Sequence, residues 1–92
     1  MKPYSLREIR LPEEMQLTVN VQFGKRVRYL RKCRKWSQEE LAFESGISKN
    51  YLCDLENGRR NPTLELLNRL ALAFDLPLQE LFRGIDGKNP VD

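Results

Sequence analysis

Apolar side chains recur along the chain at three- and four-residue intervals, in stretches separated by short polar breaks, as helices with one buried face require. Phe23, Val27 and Leu30 mark a first helix that runs from Asn20, an N-cap type of residue, to about Lys35, with Cys33 close to the same stripe. Ser37-Gln38-Glu39-Glu40 reads as a capping box, in which the Ser37 hydroxyl accepts from the Glu40 amide and the Glu40 carboxylate reaches back to the amide of Ser37. A second helix therefore starts at Gln38, and Gly46 ends it after about two turns, because glycine takes positive φ at a helix end at little cost. Ser48 caps a third helix carrying Tyr51, Leu52 and Leu55, which stops at Asn57-Gly58. Asn61-Pro62-Thr63 breaks the chain and restarts it as a fourth helix with Leu66, Leu67, Leu70, Ala71 and Phe74 as its stripe. Pro77 opens a last short helix that ends at Leu81-Phe82, before Gly84. The pattern predicts an all-α chain of five helices without an internal repeat.

The two ends read differently. Residues 1–19 hold Pro3, Pro12, the acidic pair Glu13-Glu14 and the β-leaning run Leu17-Thr18-Val19, which predicts an N-terminal arm or short strand outside the helical core. Residues 20–83 form the helical domain, and residues 84–92, with two glycines and a proline, form a tail that frays. With 92 residues and 40% hydrophobic content, the chain can fill one small core but has no room for a large substrate cleft or a doubly wound cofactor fold.

The chemistry-bearing residues narrow the function further. Histidine is absent, and Cys33 and Cys53 do not form a C-x-x-C pair, so the sequence offers no metal site and no nucleophilic triad. Glu39 and Glu40 are neighbours on a helix surface with no pocket implied; an enzyme is not expected, nor a cofactor. No apolar signal segment opens the chain and no run approaches the roughly 18 apolar residues of a membrane span. The expectation is a soluble cytoplasmic protein with Cys33 and Cys53 as reduced packing thiols.

Charge adds a direction. Sixteen Lys and Arg face thirteen Asp and Glu, but the excess is concentrated in the middle of the chain. From Lys25 to Lys35 there are seven bases (Lys25, Arg26, Arg28, Arg31, Lys32, Arg34, Lys35) and no acid, a density suited to a polyanion or to a solvated helix face.

The segment Gln38 to Gly58 settles between these readings. Ala42 is small where two helices would cross, Gly46 makes the turn four residues later, and Ile47, Leu52 and Leu55 plug the angle between the helices. Together with Leu30-Arg31, the Leu-Glu-Asn-Gly at 55–58, the Asn61-Pro62 break and the closing Leu81-Phe82, this order of residues resembles the Xre/Cro family of helix-turn-helix DNA-binding domains, over about residues 20–83. The resemblance implies a five-helix, lambda-repressor-like fold whose third helix, about Ser48 to Glu56, enters the major groove while the second crosses the backbone.

On that resemblance Lys49 and Asn50 sit where family members place base-reading side chains: Lys can donate to guanine O6 and N7, and Asn can pair with adenine N6 and N7. Asp54 also faces the groove in the family pattern, where its carboxylate accepts from cytosine N4, repels phosphate, or is simply an exposed helix acid. Tyr51 touches a thymine methyl or a phosphate, or packs on the core edge. Gln38 stands at a helix N-terminus, where free amides and the helix dipole favour a phosphate. Ser48, Asn57, Arg59, Arg60 and Asn61 are the other phosphate candidates, with Arg59 and Arg60 as backbone clamps. Lys25, Arg26 and Arg28 add to the field. Arg31 and Glu56 are structural, because family members pair them in a partly buried salt bridge. Trp36 is expected in the core or on a packing surface.

Function then follows as an expectation. The leading reading is a transcriptional regulator, in first place a repressor, that binds double-stranded DNA as a homodimer on a near-palindromic operator, with Leu76, Leu78, Leu81 and Ile85 as candidates for the dimer surface, several of them alternatively core. The alternative is an antitoxin or bridging module that uses the same fold to hold another protein.

Overall fold

A computed structural model describes residues 13–86, and they form five helices: α1 (Glu13–Cys33), α2 (Gln38–Ser45), α3 (Lys49–Glu56), α4 (Leu64–Ala73) and α5 (Leu78–Leu81). The all-α, lambda-repressor-like architecture is the one expected. One boundary differs. Asn20 lies inside α1 rather than at its cap, and Leu17-Thr18-Val19 is helical rather than extended. Strand propensity is a weak, context-dependent preference, and a helix already anchored downstream propagates at little cost once nucleated. The rest of the expected arm, residues 1–12, and the end of the tail, residues 87–92, lie outside the described residues.

The short helices form where the local chemistry directs them. Ser37 makes both bonds of the capping box, accepting from the Glu40 amide at 3.0 Å while its own amide donates to the Glu40 carboxylate at 2.7 Å. Gly46 ends α2 in the left-handed region at φ 73°, and its amide donates to the Ala42 carbonyl at 2.9 Å. Ser45 braces the same turn: its hydroxyl donates to the Leu41 carbonyl at 2.7 Å and accepts from the Ile47 amide at 3.2 Å. Ser48 and Thr63 cap α3 and α4 by accepting from the amides of Tyr51 and Leu66. Pro77 stands extended just ahead of α5. α1 and α4 both stop on a left-handed residue that is not glycine, Lys35 at φ 59° and Asp75 at φ 57°.

One core joins all five helices. Phe23 and Val27 of α1, Leu41 of α2, Leu52 and Leu55 of α3, Leu67, Leu70 and Phe74 of α4 and its end, and Leu81 of α5 are all buried, with Ile47 filling the turn. Trp36 stacks on Phe74 with ring centroids 5.8 Å apart, the packing role expected of it. Leu81 is fully buried, so it is a core residue and leaves the group of dimer candidates, whereas Leu78 remains exposed. Cys33 and Cys53 are free and exposed, so they are not packing residues.

The crossing of α1 and α3 positions everything that follows. A Cβ on Gly24 would lie 2.5 Å from the Leu55 carbonyl oxygen and 2.7 Å from that of Glu56, so only glycine lets the two backbones come this close. Gly58, at φ 75°, repeats the approach one turn earlier on α1, against Val21.

Candidate nucleic-acid interface

α3 has two unlike faces. Leu52, Leu55 and Glu56 are buried, whereas Lys49, Asn50 and Cys53 are exposed and Tyr51 and Asp54 are half-buried along one flank. The inward face is anchored by a charge. The Glu56 side chain is 0% exposed. Arg31 grips it with a fork, Nε to Oε2 at 2.7 Å and Nη2 to Oε1 at 3.0 Å, and its third nitrogen, Nη1, donates to the Trp36 carbonyl at 2.8 Å. Arg28 Nε and Gln38 Nε2 also donate to Oε1, at 3.3 and 3.1 Å. Burial raises the Glu56 pKa, but the hydrogen bonds from Arg31 and Gln38, the charge of Arg31 and the contact with Arg28 outweigh it and hold the carboxyl below its ordinary value. Arg31 is held above its own ordinary value, chiefly by the hydrogen bond to Glu56. One buried carboxylate thus ties α1, the start of α2 and the end of α3 together.

The outward face carries acid–base pairs of another kind. Lys49 Nζ lies 2.9 Å from Glu39 Oε2, which links the starts of α3 and α2 on the exposed side. That contact holds the Glu39 carboxyl below its ordinary value. Asp54 is paired with Arg60, whose Nε and Nη2 reach the same Oδ2 at 3.3 and 3.2 Å. The Arg60 guanidinium carbon in turn sits 4.8 Å from the centroid of the Tyr51 ring. Asn50 is exposed beside Lys49, and Arg59 and Asn61 are exposed in the loop after α3. Asn57 closes the C-terminal end of α3 by donating its side-chain amide to the Cys53 carbonyl at 2.9 Å. Ser48 Oγ is engaged as a helix cap.

Several of these placements could not be read from sequence. Gln38, expected at a phosphate, has one amide hydrogen committed to Glu56 and keeps a second hydrogen and its carbonyl. Arg28, expected in the general field, is the second arginine on Glu56. Arg26 donates to the Glu80 carbonyl at 2.6 Å and to the Leu81 carbonyl at 3.4 Å, and Arg34 donates to the Phe74 carbonyl and lies over Trp36. Four of the seven bases between Lys25 and Lys35 therefore fasten the fold from within. Apart from the Arg31 bond to Trp36, five residues on, their hydrogen-bond partners lie between 25 and 55 residues away in the chain, beyond the reach of any local pattern.

Five helices with this turn, this buried arginine–glutamate pair and an outward-facing third helix define a helix-turn-helix module. A family model described as helix-turn-helix, HTH_3, matches residues 27–81. The chain belongs to this Xre/Cro-like family of transcriptional regulators.

Its relatives differ in length. The chain is 38% identical over 60 residues to the HTH-type transcriptional regulator SlrR of Bacillus subtilis, a match that covers 64% of this chain and 40% of that protein. It is 39% identical over 59 residues to a competence pilus inhibition repressor of Acinetobacter baylyi, covering 64% of this chain and 54% of the relative. The chain thus spans about half the length, or less, of these curated relatives. It matches small control proteins far more fully: 32% identity over 68 residues to C.BamHI of Bacillus amyloliquefaciens covers 73% of this chain and 84% of that one. Among solved structures, the restriction-modification controller protein C.AhdI from Aeromonas hydrophila is 45% identical with a TM-score of 0.65, over 67% of this chain and 94% of that chain.

Proposed function

We propose that the chain is a sequence-specific double-stranded DNA-binding regulator of transcription that works as a homodimer, with α3 in the major groove. The observation that supports this best is the split character of α3: its inner face is bolted down through Glu56 while Lys49 and Asn50 stand free of the core at its start. In this reading Lys49 and Asn50 read base edges, with Tyr51 and Asp54 on the flank of the same helix. Gln38 and Ser48 at the two helix starts, and Asn57, Arg59 and Asn61 in the following loop, contact phosphates. Symmetric pairing doubles the site, so half-sites about 34 Å apart, or a multiple of that, are expected on a near-palindromic operator. The match over most of the length of small control proteins supports a DNA-binding regulator of their kind.

The test is selection of bound fragments from a pool of random duplexes, followed by titration in salt. Affinity should fall linearly in log salt with a slope near −0.9 per phosphate neutralised. The double variant Lys49→Ala, Asn50→Ala should keep its fold and lose the selected sequence preference. Unchanged preference in that variant would remove these two residues as readers, and a wild-type chain that selects no duplex would favour a protein-binding module instead.

A further inference from the structure

The pair formed by Asp54 and Arg60 does not suit a phosphate clamp. A clamp works through net positive charge, and here the carboxylate beside the guanidinium cancels much of it, whereas Arg59 next to it is exposed and no carboxylate of the described residues is paired with it. What the pair does provide is orientation. Nε of Arg60 donates to Oδ2 of Asp54, Nη2 on the same side edge lies 3.2 Å from that oxygen, and the guanidinium carbon sits over the Tyr51 ring, 4.8 Å from its centroid. The end edge, made of one outer hydrogen on Nη1 and one on Nη2, is left as a two-pronged donor. An arginine is long and loses much rotamer freedom on binding. One already held by a carboxylate and a ring loses less.

We infer that Arg60 is a base-reading residue specific for guanine, and that Asp54 and Tyr51 are its positioning residues. This rests on the duplex-binding reading above and deepens it. The free end edge of Arg60 matches the paired acceptors O6 and N7 that guanine alone presents in the major groove. Asp54 belongs to the same flank of α3 as Tyr51, one turn further along, so the three residues form one device attached to the helix that enters the groove. The acid is then not a liability at a polyanion surface. It converts a mobile cation into an oriented fork, and selects a G·C pair where a free arginine would grip any backbone.

The test is selection from a pool of duplexes with a randomised core, using the full chain and the variants Arg60→Lys, Arg60→Ala and Asp54→Asn. Thermal melts of each verify that the variants are folded, as expected for an exposed arginine and a half-buried acid outside the core. The wild type should enrich sites with a G·C pair at one fixed position. Arg60→Lys keeps the charge but not the fork, so it should lose preference at that position alone, with roughly tenfold weaker binding to the selected duplex and an unchanged salt slope. Asp54→Asn should show the same loss at the same position. Two results would overturn the inference while leaving duplex binding intact: an unaltered preference in Arg60→Lys, or an Asp54→Asn variant that binds all sequences more tightly by the same factor. If the wild type enriches nothing, the duplex-binding reading fails and this inference falls with it.

Discussion

Two carboxylates stand two residues apart on α3, and both are held by arginine, yet their surroundings are opposite. The Glu56 side chain has no exposed surface and takes hydrogen bonds from Arg28, Arg31 and Gln38, whereas that of Asp54 is 35% exposed and is matched by Arg60 alone. A charge removed from water must have all its partners supplied by the fold, so Glu56 fixes the geometry of three helices. A charge left at the surface retains its water, and its arginine contributes little to stability, so Asp54 is at liberty to serve recognition. The same residue pair, acid with arginine, is architecture on one side of the helix and interface on the other.

The largest expected effect breaks the inner cluster. Glu56→Ala leaves the Arg31 charge without its partner and should cost about 3–5 kcal/mol, enough to unfold much of a chain whose total stability is on the order of 5–15 kcal/mol. Urea denaturation reads this directly, and a cost no larger than about 1 kcal/mol would mean that the cluster is not what holds α3. Next comes Gly24→Ala. Its methyl would meet the carbonyls of Leu55 and Glu56 at 2.5 and 2.7 Å, push α1 off α3, and pull Arg28 and Arg31 from their acid. Overpacking of this kind costs about 1–3 kcal/mol, seen as a lower urea midpoint.

Acid sharpens the contrast without a core mutation. The folded-state pKa of Glu56 lies below its unfolded value, so its stabilisation is fully present above about pH 4.3 and is lost as pH falls through the folded pKa. Melting temperature followed down the acid limb should therefore drop in the wild type. The drop should persist in Asp54→Asn, because the exposed pair is not its source. The smallest effect is the stability of that same variant at neutral pH, expected to stay within about 0.5 kcal/mol of wild type; a larger loss in the thermal melt would erase the distinction drawn between the two pairs.

Local chemistry made much of this fold legible. Ser37, Gly46, Ser48 and Thr63 each act on amides or carbonyls within a few residues, and the structure uses all four as the sequence suggests. The salt bridge between Arg31 and Glu56 was visible only through family resemblance, and Arg28 and Gln38 on the same acid were not visible at all, since 28 and 18 residues separate them from it. The start of α1 is not legible in the sequence, because Leu17-Thr18-Val19 leans toward strand by propensity, which the adjoining helix overrides. At the candidate interface, the residues proposed from the resemblance take part in pairings that the sequence does not show. Arg60 reaches back across the end of α3 to Asp54, six residues earlier, where no helical spacing rule applies.

Arg26 carries a last consequence. It joins α1 to the carbonyls of Glu80 and Leu81, 54 and 55 residues on, and so grips the end of a helix only four residues long. A single turn of helix has no lifetime of its own in water. Its order is borrowed from a side chain on the first helix, so the two ends of the described module hold or loosen together.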